Sequence, residues 1–423
     1  LSDLPQSPLE ALDLASRTDP AFAQDLSQQQ RVTGNTLSLV VGGQIVTGWE
    51  SIRVTRSCER VPADFDIRLT ERYPGAADVV IKPGDPCQVK IGDDLVITGY
   101  VDRYMASFSS RSHEVRVCGR SKSEDLVDCS IDLPNEHNQL HETSLLGLAQ
   151  KVAAPYNVTV SSITGDNIPI SNPNGSPVQF NFALTETPYE IIERVARYAG
   201  VLVYDSPDGS LLLAKVGQTR MASGFAQGVN VQVASVSFSM DERYQVYEAH
   251  LFAYDDLWQY GQNNGNNLGT FRDEGVPRFR LLAVVSDQSQ YGQPLVQKRA
   301  QWEMARRRGR SQAVRLTCDS WRDSAGNLWA PNAYAMVNLP ALKLTPSDPW
   351  IIGEVSFLRD GERGTVADLM LMPSEAFVPE PSVLELYDWQ VGQALPGGTS
   401  APPATTSKPE PRVNLGLPGG GAQ

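Results

Sequence analysis

The sequence predicts a mainly β protein with α+β parts: two similar small β-barrel domains, one α+β domain and helical insertions. Three observations predict it. Short runs of alternating or β-branched residues, bounded by Gly, Pro and Asp, fill residues 37–123 and return after residue 218. Between them lie two helical patterns with apolar residues on one face. Two distant stretches also repeat the same layout of turns and strands.

The chain has 423 residues, more than the roughly 250–300 at which a single core stops growing, so three or four domains are expected. Residues 1–33 form an acidic arm in which LEALDLASR reads as a short helix after Ser7 and Pro8. An arm of this composition orders only against a partner. Residues 34–123 form the first barrel. LSLVVGG, QIVTGW, SIRVTRS and FDIRLTE are its first strands, and Lys82-Pro83-Gly84-Asp85 and Gly92-Asp93-Asp94 are turns before the later ones. Residues 124–217 form the α+β domain. One helix places Leu145, Leu148, Ala149 and Val152 on a single face; a second does so with Ile191, Ile192, Val195 and Tyr198. Thr187 and Glu190 make a capping box for the second, and Gly200 ends it. A hairpin follows, turning at Ser206–Gly209.

Residues 218–250 and 312–378 form the second barrel, around an inserted strand–loop–helix region at 251–311. Residues 379–423 are a tail; its last 33 positions hold six Pro and seven Gly, so it folds on nothing of its own. The repeated layout pairs KPGDPCQVKIG with APNAYAMVNLPA, and the strand holding Ile97, Gly99 and Val101 with the strand holding Ile352, Gly353 and Val355. Three copies of a chain with two like barrels would present six similar faces around one axis.

Charge and chemistry narrow the function. The net charge of −13 disfavours a firm hold on nucleic acid, which needs clustered cations. The five cysteines, Cys58, Cys87, Cys118, Cys129 and Cys318, contain no C-x-x-C and read as reduced thiols of a cytoplasmic assembly. No secretory signal and no membrane span is expected. There is no G-x-S-x-G and no Walker motif, and the Gly261–Gly269 loop is not a phosphate cradle. His137 and His141, with Glu142 beside them, have a spacing that could hold a metal on a helix. Pro134 and Asn135 mark a linker instead, so no metal and no cofactor is expected. Glu124, Asp125 and Asp128 follow Arg120. Such carboxylates could serve a hydrolase, but salt bridging and helix N-terminal charge around SKSEDLVD is the simpler role. The basic run from Lys298 to Arg310 around Trp302 suits cations that complement the helix C-terminus, or salt bridges to an acidic neighbour subunit.

At Val117-Cys118-Gly119-Arg120-Ser121-Lys122-Ser123-Glu124-Asp125-Leu126-Val127-Asp128 the sequence resembles the baseplate hub proteins of Mu-like contractile-tailed phages. Further matches, in the family's order, are the stretch at Trp49, Arg299-Ala300-Gln301-Trp302-Glu303, Trp321, Trp329 with Pro331, and Leu371 to Phe377 with Pro373. The similarity extends to other contractile-tail hubs and to the base of type VI secretion spike proteins. It implies a non-enzymatic virion protein of the tail baseplate, a homotrimeric ring with a DNA channel. Its implied partners are a hexameric tail tube protein, a trimeric spike protein and other baseplate proteins. The residues marked by the resemblance and the echo are Trp49, Gly99, Gly119, Arg120, Ser121, Asp125, Leu126, Asp128, Trp302, Trp321, Trp329, Pro331, Gly353 and Pro373, all as structural positions. The rival readings are a tail-associated peptidoglycan hydrolase using Asp125 and Asp128, and a host-surface binding module.

Overall fold

The computed structural model describes residues 34–70, 81–110, 113–133, 139–142, 144–163, 178–183, 185–251, 268–286, 292–346 and 349–380. The acidic arm, residues 261–267 of the Gly261–Gly269 loop, His137 and the tail beyond Glu380 lie outside the described residues.

Alternating sequence gives the first segment its strands: β1 (Leu37–Val41), β2 (Gln44–Val46), β3 (Ser51–Ser57), β4 (Asp64–Thr70), β5 (Pro86–Ile91), β6 (Asp94–Phe108) and β7 (His113–Ser121). In β7, Val115, Val117 and Gly119 point to the core while Glu114, Arg116 and Cys118 point away. The next segment holds α1 (Glu124–Asp128), β8 (Gln139–Glu142), α2 (Leu145–Ala153), β9 (Val160–Ser162), β10 (Val178–Asn181), α3 (Pro188–Ala199), β11 (Leu202–Asp205) and β12 (Leu211–Ala214). The expected capping box forms: Thr187 Oγ1 accepts from the Glu190 N–H, and Glu190 accepts from the Thr187 N–H. Gly200 closes α3 at φ 64°, and β11 and β12 make the expected hairpin. The apolar faces of α2 and α3 bury Leu148, Val152, Ile191, Ile192 and Val195 in one core.

The remainder contains β13 (Thr219–Arg220), β14 (Phe225–Ala226), β15 (Val231–Phe238), β16 (Val246–Leu251), β17 (Leu268–Arg272), β18 (Leu281–Ser286), α4 (Gly292–Arg310), β19 (Gln312–Cys318), β20 (Ala333–Asn338), β21 (Pro349–Asp360) and β22 (Gly364–Met372). β16, grouped with the second barrel on sequence, pairs instead with β17 and β18. Its Tyr247 and Ala249 are buried, and Ala249 packs with Ala300 of α4. A helix with a buried stripe needs such a sheet, and this strand supplies its centre. Among the described residues no helix is long and apolar enough to cross a membrane.

The two β segments repeat one topology. The first runs β3-β4-β7-β6-β5 across the sheet, and the second runs β15-β19-β22-β21-β20. Chain order matches as well, strand for strand. The Gly84 N–H donates to Val101 O at 2.7 Å, and its counterpart, the Asn332 N–H, donates to Ile352 O at 2.8 Å. Both residues are left-handed, with φ of 89° and 61°. The next residue of each middle strand sits at a β-bulge: Asp102 in β6 and Gly353 in β21. The hydrogen bonds therefore match Gly353 with Asp102, not with Gly99 as the sequence echo suggested. The echo had aligned the two glycines by residue type, whereas the pairing places Gly99 three positions before the bulge. Each copy then closes with a serine-led turn: the Leu126 N–H donates to Ser123 O, the Phe377 N–H to Ser374 O, and both apolar side chains are fully buried.

The two copies are not separate barrels standing apart. β21 pairs antiparallel with β3, so all these strands form one sheet over one continuous core. Arg322, in the loop after β19, ties the far side. Its guanidinium donates to Gly34 O, Ile91 O, Asn35 Oδ1 and Gly326 O, and it pairs with Asp94.

Candidate assembly surface

The marked residues fall at joints. Gly99 and Gly119 lie on β6 and β7, where the strands touch. A Cβ at Gly99 would overlap the Arg120 carbonyl, and one at Gly119 would meet the Phe65 ring and Tyr100 O. A Cβ at Gly353 would stand 2.7 Å from the Phe377 ring, just after Pro373. Trp49 donates to Val46 O ahead of β3. Trp321 is fully buried and donates to Val366 O at 2.7 Å. Trp329 donates to Ser320 O and stacks on Phe225 at 4.4 Å. Pro331 leads into Asn332, whose side chain accepts from the Gly217 N–H and donates to Lys215 O. Leu126 is fully buried in the α+β core.

Ser121 and Ser123 donate to Asp205, on the α+β unit, which also accepts from the Ala63 N–H. Burial pushes the Asp205 carboxyl upward while those three donors pull it down. Sequence reasoning missed Asp205, because nothing local marks it.

Arg120 is a clasp. It holds Asp102 at 2.7 Å, Asp128 at 2.8 Å and Glu124 at 3.0 Å. Burial first, and then the nearby Asp102 carboxylate, push Glu124 up from 4.5 to about 8. Burial also raises Asp125. These acids line neither the cleft beside Trp350 nor the one beside Trp302, and their geometry is that of a bridge. The folded chain holds the Glu124 proton more tightly than the unfolded chain does. Stability gained from that proton is full below about pH 4.5 and is lost as pH rises toward about 8. Glu124→Gln should therefore flatten the fall in unfolding free energy between pH 5 and pH 8; urea titrations at the two pH values would read it.

The basic helix finds its acids within the chain. Arg306 and Arg310 reach Glu59, Arg308 reaches Glu375, Arg307 reaches Glu303, and Arg299 contacts Glu380. Trp302 lies between Arg299 and Arg306, with centroid distances of 4.9 and 5.4 Å, and donates to Val378 O. All five cysteines are free thiols. His141 falls on β8, a strand and not a helix. Among the described residues no group of three or more His, Cys, Asp or Glu is placed to hold a metal.

The broad sheet has two different faces. One covers the core. The other carries cross-strand polar pairs: Arg53 with Asp64, Arg116 with Asp66, Arg68 with Glu114, Thr55 with Ser356 and Thr317 with Asp368. Its edges are unusual. Among the described residues β15 pairs with no strand but β19, and it carries no charge and no proline. Val233 and Phe238 on it are 65% and 59% exposed. Beyond Val101, β6 pairs with no strand but β7 among the described residues, and Tyr104, Met105 and Phe108 stand exposed there. Soluble proteins normally blunt such edges with charges or cover them.

Three family models match successive parts of the chain. Residues 36–121 match the N-terminal domain of "Mu phage baseplate assembly protein GpP-like" proteins. Residues 123–215 match the second domain of "Baseplate hub protein gp44-like" proteins, and 293–380 the fourth domain of "Mu phage baseplate assembly protein GpP". Baseplate hub protein gp44 of Escherichia phage Mu is 27% identical over 350 residues, which are 81% of this chain and 89% of that one. The 43 kDa tail protein of prophage MuSo2 from Shewanella oneidensis is 28% identical, with a TM-score of 0.69 over 81% of this chain and 99% of that one. A type VI secretion system component of E. coli shares the fold at 9% identity, with a TM-score of 0.50 over 82% of this chain and 80% of that one. Fold, joint residues and matches along the chain agree: it belongs to the baseplate hub family of Mu-like phage tails.

Proposed function

We propose that this hub subunit works as a passive trimeric ring between a hexameric tail tube and a trimeric spike, with DNA passing through its centre. The observation that carries the reading is the duplication. One chain holds two β units of the same strand order, so three chains supply six near-equivalent units on one axis. The domain bounds proposed are 34–123, 124–217, and 218–250 with 312–378, the region 251–311 being inserted; β16 leaves the last unit for the small sheet. The polar sheet face suits a channel wall. Three of its cations, Arg53, Arg68 and Arg116, are paired with carboxylates, which lowers the free positive charge it offers phosphate. Free thiols fit assembly in the reducing cytoplasm of a bacterial host. The edges left without a strand partner among the described residues, that of β15 uncharged, fit a protein whose sheet is completed by neighbours.

Light scattering coupled to gel filtration tests this reading. The full chain should elute at about three times its 46.2 kDa mass. A monomer at micromolar concentration, with or without tube protein, would overturn it.

A further inference from the structure

Beyond the buried Phe377 the chain runs as a strap along α4, toward the start of that helix. Arg310 donates to Ala376 O, Trp302 and Arg306 donate to Val378 O at 2.8 and 3.0 Å, and Arg299 contacts Glu380. The strap ends at the mouth of a cleft of about 270 Å³ between α4 and the α+β unit. Pro379 and Glu380 form one side, Trp302 of α4 a second, and Tyr189 and Glu193 of α3 with Val203 of β11 the third. Small-molecule sites usually run to roughly 300–1,000 Å³. A space below that range suits one or two side chains better than a free ligand.

The sequence that follows Glu380 has the pattern of a short amphipathic helix. Ser382 with Glu385 three positions on is a capping-box spacing, and Gly392 stands where such a helix would stop. Between them Val383, Leu386, Tyr387 and Val391 recur at i, i+3, i+4 and i+8, which is one helix face; Glu385 and Asp388 fall on the opposite one. Helices shorter than about 12–15 residues are marginal alone in water, so this one needs a surface. The family-model match ends at residue 380.

We propose that Val383–Val391 folds as a helix over this cleft of its own chain, with Val383 and Leu386 as the side chains that enter it. The contact would lash the α+β unit to α4, joining the two insertions of the duplicated fold.

Three features favour this occupant. The first is the tether. Glu380 is anchored at the mouth, flanked by Pro379 and Pro381, and Val383 comes three residues later, within about 10 Å of extended chain. A short tether sets a local concentration of about millimolar. An untethered competitor at micromolar concentration would be outnumbered about a thousandfold. The second is the cleft floor. Val201, Leu202 and Val203 are 2–6% exposed there, and burial pushes the Glu193 carboxyl upward, so the floor is apolar and poorly solvated. The third is charge. Lys298 is exposed on α4 beside Arg299, and Glu385 and Asp388 on the outer face of the helix complement it. Beyond Gly392 the sequence turns to Pro and Gly, so the apolar residues cluster in the part that reaches the cleft.

The test is a pair of cysteines in the full chain, Leu386→Cys with Glu193→Cys. The Glu193 side chain is 37% exposed, so its replacement spares the core. Mild oxidation and peptide mapping should show the two new thiols joined within one chain. Leu417→Cys with Glu193→Cys, in the Pro/Gly stretch, should link at least tenfold less. A second full-chain variant, Leu386→Asp, should speed amide hydrogen exchange across residues 189–203 at least threefold. Links between two chains would show the cleft taking a neighbour's tail and would overturn the proposal. Equal linking by both cysteine pairs, or unchanged exchange in Leu386→Asp, would overturn it too. The trimer mass read by light scattering is independent of all three results, so failure here leaves the ring reading standing.

Discussion

Asp205→Ala is expected to cost about 3–5 kcal/mol of stability, the range for breaking a buried, hydrogen-bonded charge site. The carboxylate is 4% exposed as a residue and accepts from Ser121, Ser123 and the Ala63 N–H. Its removal strands three donors at the seam between the first β unit and the α+β unit, each with a desolvation cost of about 1–3 kcal/mol. Arg56 makes the position harder still to vacate. It is half-buried close by, donates to Asp205 O at 3.1 Å, and has its pKa lowered by desolvation. Denaturant titration followed by tryptophan fluorescence would measure the loss; a change below about 1 kcal/mol would mean the seam holds without it. Asp205→Asn should be milder, since the amide oxygen still accepts from one or two of the donors.

Trp321→Ala should lose a comparable amount, about 3–5 kcal/mol for a fully buried tryptophan. Trp321 packs edge-on against Phe357 at 6.0 Å and donates to the carbonyls of Leu358 and Val366. It therefore props the β21–β22 hairpin on the side that meets β3. Truncation opens a cavity in the shared core and leaves two carbonyls short of a donor. A midpoint shift of several degrees in a thermal melt would confirm it, and Trp321→Phe should recover part of the packing but not the hydrogen bonds. An unchanged melting midpoint in Trp321→Ala would show that the core closes around the gap.

Much of this was legible before any coordinates. Strand alternation in β7 and helical spacing in α3 are local patterns set by one-sided burial, and both elements formed where the sequence placed them. The repeat was visible at β5 and β20 because Pro83-Gly84 and Pro331-Asn332 enforce the same left-handed corner. It was invisible between β3 and β15, where SIRVTRS and VQVASVSF share only alternation and the inserted residues 239–311 separate β15 from β19. Asp205 was illegible for another reason. Its partners lie 82 to 142 residues away, and no periodicity records a contact that long. The basic helix was read correctly as charged, but its partners Glu59 and Glu375 could be assigned to this chain only once the fold brought them near.

The two insertions sit at different corners of the repeated unit. The α+β unit follows β7, the last strand of the first copy, whereas the small sheet and α4 interrupt the second copy between β15 and β19. Seen down the axis of the proposed assembly, the inner wall would look alike every sixty degrees, while the outer decorations would recur only every hundred and twenty. Ancestral gene doubling would thus have been free to keep the bore uniform while the rim diverged, so that a docking protein on the outside could tell odd positions from even ones without any change to the bore.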